Sequence, residues 1–216
     1  MERRLLALIV TVLLVQGFVR YWGQVDPALR FGSFFYATAG VRLLVPLAVL
    51  LALGVSWRQL GFGRPRVPRS REAARLFAGF VVVTVLALVL MQLEAYRSAY
   101  SGVRVGDLGS RLQRFAAFAL STTIPWEILH RGYLLHGVRE LCTRGGIDTN
   151  RSATLAIAFT LCFEVLFHLT KPALEALALV VGSPVLSWLA FRYRSIWIPL
   201  LIHVWIEGLW FVAIWL

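Results

Sequence analysis

Apolar runs separated by short polar, arginine-rich breaks fill the chain from end to end. A helix needs about 20 apolar residues to cross a bilayer. Runs at 5–19, 35–57, 76–93, 115–138, 152–169, 173–191 and 195–216 come close to that length. The pattern therefore predicts an all-α, polytopic transmembrane bundle of about seven spans. The breaks differ in character. Residues 58–75 are rich in Gly, Pro and Arg and read as the clearest loop. Residues 94–114 are polar and mixed, which predicts an interfacial helix. A connector at 139–151 holds Gly145-Gly146, and Arg192-Tyr193-Arg194 reads as a tight turn. Arg42 falls near the start of the second run, where it is expected to snorkel to the interface. No small-residue cleavage site follows the first run, so it is expected to be an uncleaved span.

Composition strengthens this picture. The 216 residues are 59% hydrophobic and only 15% charged, the profile of a polytopic membrane protein whose first partner is the bilayer. The net charge is +11, and Lys171 is the only basic residue that is not Arg. Those arginines sit mostly between the spans, as the positive-inside rule expects, so nucleic-acid binding is not indicated. Their larger share falls on the amino-terminal side, which predicts a cytoplasmic amino terminus in a bacterial-type inner (plasma) membrane. Cys142 and Cys162 form no CxxC pair and imply no disulfide framework.

Ionisable residues at membrane depth are costly, so they are paired, functional, or both. Glu127 and Arg131 lie four residues apart in the fourth run, Glu164 and His168 in the fifth, and His203 and Glu207 in the seventh. Each pair shares one helix face. Three such pairs predict a shared intramembrane site. His130 and His136 read as structural, and Glu175 as a solvated first-turn carboxylate. A carboxylate in a low-dielectric pocket can act as a general base, and imidazoles can hold water or assist a developing oxyanion. Together they could hydrolyse a peptide bond without metal or covalent intermediate. His and carboxylate can also bind zinc. However, neither HExxH nor GxSxG is present.

These residues resemble the CAAX protease and bacteriocin-processing (CPBP, or Abi) family of glutamic-type intramembrane proteases. The family's Glu-Glu-x-x-x-Arg motif is similar to Trp126-Glu127-Ile128-Leu129-His130-Arg131, followed by Gly132-Tyr133-Leu134. Its Phe-x-x-x-His motif is matched in position by Glu164 to His168, and its His-x-x-x-Asn motif by His203 to Glu207. Residues 182–201, with Gly182 and the entry Ser195-Ile196-Trp197-Ile198-Pro199, resemble the family's link between the last two motifs. The resemblance implies amino-terminal helices and a basic loop over 1–114 and a protease core over 115–216, within one membrane domain. It also implies endopeptidase activity on a membrane-associated protein or peptide.

The departures are specific. Trp126 replaces the first Glu, which the family uses to activate water, while Glu164 and Glu207 replace Phe and Asn. Three accounts stay open: a protease whose base has moved, most naturally to Glu164; a metal-dependent variant with Glu164, His168, His203 and Glu207 as ligands; or an inactive relative serving as scaffold or immunity factor. Acidic residues are costly replacements at this depth, which favours a working, altered site. On that reading Glu127, with or without Glu164, deprotonates water and His168 holds it. His203 and Glu207 face the scissile carbonyl, and Arg131 fixes Glu127. No cofactor is expected, with zinc the minor alternative.

Overall fold

The computed structural model describes residues 2–25, 33–99, 106–169 and 173–212. The described residues are helical, with no strand among them. The helices are α1 (Glu2–Val25), α2 (Ser33–Leu53), α3 (Ser70–Leu90), short α4 (Glu94–Ala99), α5 (108–144), α6 (Thr149–His168), α7 (Ala173–Tyr193) and α8 (Trp197–Val212). This is an all-α membrane bundle. Among the described residues, α3, α6 and residues 175–193 of α7 are long and apolar enough to cross a bilayer. Shorter apolar helical stretches run over Gly40–Leu53 and Trp197–Phe211. The outward faces are apolar too: Leu14, Phe77 and Leu201 are each about two-thirds exposed, as lipid-facing side chains are.

α5 is the centre of the bundle, in contact with α1, α2, α6, α7 and α8. It extends beyond the fourth predicted span at both ends and is about 55 Å long at 1.5 Å per residue. Asp107 caps its start by accepting the Ser110 backbone N–H at 2.7 Å, and this bond holds the Asp107 carboxyl below its ordinary range. Two stretches of α5, Ala119–Thr123 and Ile128–His136, are wound as π-helix. Pro125 cannot donate to the Ser121 carbonyl, so the ladder is broken where the first wide stretch lies. The second stretch carries Arg131 and Gly132. Leu129 and Tyr133 of α5 pack with Leu5, Leu8 and Val12 of α1 and Leu50 of α2. Leu135 packs with Ala156 of α6 and Ala190 of α7.

The break at 58–75 is shorter than its composition predicts. A 3-10 turn covers Trp57–Leu60, and α3 begins at Ser70. The remainder is docked to the bundle: Arg66 N–H donates to the Tyr193 carbonyl at 2.9 Å, Ile196 N–H to Gly61 at 2.9 Å, and Ser195 Oγ to Gly63 at 3.0 Å. Glu72 pairs with both Arg66 and Arg192. The tight turn at 192–194 is present, with Arg194 in the left-handed region at φ 53°. The polar break at 94–114 holds the whole of α4 and the start of α5, and residues 100–105 lie outside the described ones. The predicted end of the last span at Leu216 also lies outside them.

Two glycines permit this docking. At Gly132, a Cβ would stand 2.7 Å from Phe62 Cζ. At Gly61, φ is +77° and a Cβ would stand 2.5 Å from His136 Nε2. Gly61→Ala combines left-handed strain with a clash against a buried ring and should destabilise the fold by about 2 kcal/mol or more. Thermal unfolding of the detergent-solubilised protein tests this: a clear fall in Tm is expected, and an unchanged Tm contradicts the packing.

Candidate active site

Three helices bring four charged or ionisable side chains to one buried point. Arg131 and Glu127 lie one turn apart on α5, with Nη1 3.2 Å from Glu127 Oε1. The same Nη1 meets Glu164 Oε1 from α6, and Nη2 donates to Glu164 Oε2 at 3.3 Å. Glu127 and Glu164 are fully buried and Arg131 almost so. His203 of α8 completes the group, its Nδ1 2.6 Å from Glu127 Oε1. Its other nitrogen lies 3.5 Å from Glu207 Oε1. His203 and Glu207 are the open side of the site, with about a quarter of each side chain exposed.

The two carboxylates differ in how much is left free. Glu164 Oε1 accepts from Arg131 and from the Trp126 indole N–H at 3.2 Å, while Oε2 accepts from Arg131. Glu127 has one oxygen engaged, whereas its buried Oε2 has no hydrogen-bond partner. An unpaired carboxylate oxygen out of water is costly unless a water or substrate group meets it.

Trp126 is therefore more than a missing carboxylate. It projects toward α6 and hydrogen-bonds the carboxylate that α6 supplies. Its ring stacks on His130 at 3.9 Å between centroids and meets His168 edge-on at 5.7 Å. His130 is fully buried, with Nδ1 2.9 Å from the Trp126 carbonyl oxygen, in keeping with its structural reading. His136 is likewise buried, edge-on to Phe191.

His168 stands apart from the charged group. Its Nδ1 lies 2.9 Å from the Glu164 carbonyl oxygen, not the carboxylate, and its Nε2 lies 3.7 Å from Glu175 Oε1. Glu164 and His168 share one side of α6, where Trp126 packs against the His168 ring and hydrogen-bonds the Glu164 carboxylate. Glu175 is a half-buried partner of His168 and not the solvated carboxylate its position suggested. The Arg42 side chain is partly exposed, with its Nε enclosed and without a hydrogen-bond partner among the described residues. Sequence spacing marked the pairs within one helix. The pairs between helices, Trp126–Glu164 and Glu127–His203, carry no spacing signal.

Among the described residues no three His, Cys, Asp or Glu side chains are grouped to hold an ion. Of the four suggested ligands, Glu164 is engaged by Arg131, and His168 faces Glu175.

Removing Arg131 would leave two buried carboxylates side by side without a counter-ion. Arg131→Met should therefore cost about 3–5 kcal/mol. Adding Glu164→Gln should recover part of that loss by removing one of the two charges. Denaturant unfolding of both variants is the check, and a double variant no more stable than Arg131→Met contradicts the bridge.

Residues 109–209 match the family model described as "Rce1-like: Type II CAAX prenyl endopeptidase Rce1-like". This segment spans α5 to α8 and contains all six candidate site residues. No curated protein and no solved structure matches the chain.

Proposed function

We propose, from the premise that residues 109–209 are an Rce1-like protease domain, that the protein is an intramembrane endopeptidase with Glu127 as its base. The free Oε2 of Glu127 carries this reading. That oxygen can take a proton from water, while Oε1 stays anchored to Arg131 and His203. Glu164 is not the moved base on this account, because its oxygens are filled by Arg131 and Trp126. It is the counter-ion that holds Arg131 in place.

The steps follow from these positions. Water bound at Glu127 Oε2 loses a proton to the carboxylate as its oxygen adds to the scissile carbonyl carbon. His203, on the half-open side of the site, faces the oxygen that gains charge, an electrostatic role. Glu207 steadies His203 from the other side. The proton then passes from Glu127 to the amide nitrogen, the C–N bond breaks, and an acid and an amine leave. His168 acts at one remove, by packing against Trp126.

The substrate class is a membrane-associated protein or peptide. An apolar cleft of about 620 Å³ supports this. It is lined in part by Leu43, Leu47, Trp197 and Ile128, the neighbour of Glu127. Such a lining suits an apolar side chain or a lipid-modified segment. No metal is required, and the amino terminus lies in the cytoplasm of a bacterial-type cell.

Cleavage of membrane-anchored peptides by the purified protein tests the proposal. Glu127→Gln should lower the rate by about 10²–10⁴-fold, the usual contribution of a general base. His203→Ala should fall in the same range, and a chelator should leave the rate unchanged. Glu127→Gln cleaving at the wild-type rate would rule out Glu127, and loss with chelator would point to a metal.

A further inference from the structure

Thr160 of α6 and Ser183 and Ser187 of α7 carry hydroxyls that the mechanism leaves unused. All three side chains are closed off from the surface. None of their hydroxyls has a hydrogen-bond partner among the described residues. Hydroxyls elsewhere in the bundle behave differently. Thr84, Ser121 and Thr154 each donate to the carbonyl four residues back, the usual way a helix satisfies a lone hydroxyl. Thr160, Ser183 and Ser187 are instead turned away from their own backbone.

Two contacts show how α6 and α7 run past each other. His168 meets Glu175 at one end, and Ala156 packs with Ala190 toward the other. The two helices are therefore antiparallel. From Ala156 the buried face of α6 continues one turn at a time through Thr160 to Glu164. From Ala190 the buried face of α7 runs back through Ser187 to Ser183. This register sets Thr160 level with Ser187, and Glu164 level with Ser183. The seam has an apolar floor of Ala156, Ala190 and Leu135 of α5. Its other end is the charged group, where Glu164 meets Arg131. Arg131 Nε is also buried without a hydrogen-bond partner.

A buried hydroxyl without a partner is costly, and three along one seam are more so. A buried ion pair is stable only when its remaining donors and acceptors are also met. One kind of ligand answers both needs: a small neutral molecule that donates and accepts. A cation is disfavoured because Arg131 already stands at the end of the seam, and an anion because Glu164 does. We propose that α6 and α7 enclose bound water, held by Thr160, Ser183 and Ser187, which hydrates the Glu164–Arg131 pair. Three hydroxyls and the Arg131 Nε–H supply the two to four partners that a buried water needs. The apolar floor closes the far end, so this water is resident. Its role is positioning: it completes the hydrogen bonds of the pair.

Two measurements on the full-length protein test this. The first is a density map fine enough to show ordered water. Water is expected within hydrogen-bond distance of at least two of the three hydroxyls and of Glu164 or Arg131. A seam without water overturns the proposal, and so does water that touches neither Glu164 nor Arg131. The second is reversible unfolding in detergent. Thr160→Val keeps the shape of the side chain and removes only the hydroxyl. A hydrated seam predicts that the unfolding equilibrium shifts about fivefold toward the unfolded state, the usual worth of one hydrogen bond. A dry seam predicts the opposite sign, because the variant then removes a buried hydroxyl that had no partner. Thr160→Val as stable as the wild type, or more so, therefore overturns the proposal. Ser187→Ala should also destabilise, and the double variant should lose less than the two single losses together, because both hydroxyls hold the same water. Strictly additive losses overturn the shared site. The density map decides the question if a variant fails to fold.

Discussion

One guanidinium, that of Arg131, holds two buried carboxylates together, and the interior depends on it. Glu127 and Glu164 have no access to solvent. At this depth neither could stay charged without a partner. Arg131 reaches Glu127 along its own helix and Glu164 across to α6. The pairing is a fastener between helices and also sets what each carboxylate can do. Glu164 is used up by its contacts. Glu127 is held by one oxygen and keeps the other.

The long central helix explains how such a group is assembled. α5 touches five other helices, so any residue on it has a neighbour on most sides. Its second π-helical stretch contains Arg131, and wide turns of this kind often occur at functional sites. Close approach comes from Gly132, which admits Phe62 of the preceding loop. That loop also bonds to the α7–α8 turn. α8, which brings His203, therefore starts from a position tied to both α5 and the loop.

Much of this was legible in the sequence. Run lengths predicted the helices, and the four-residue spacing of Glu127 with Arg131 and of His203 with Glu207 predicted pairs that are present. Glu164 and His168 share a face as their spacing predicted, since Trp126 contacts both, but of the two only Glu164 is bonded to Arg131. Trp126 looked like the loss of a carboxylate, since nothing in one sequence says which residue on another helix it will meet. The docking of the loop at 61–69 carried no signal for the same reason: its bonds to Tyr193, Ser195 and Ile196 are long-range.

Trp126 and Glu164 are coupled across α5 and α6, the indole N–H donating to the carboxylate at 3.2 Å. A double-mutant cycle of Trp126→Glu and Glu164→Phe, read by unfolding free energy and by peptide cleavage, tests this directly. Trp126→Glu alone adds a third acid around one Arg131, and Glu164→Phe alone removes its second counter-ion and the partner of the Trp126 N–H. The account predicts that the double variant is more stable and more active than either single one. Additive losses would contradict it.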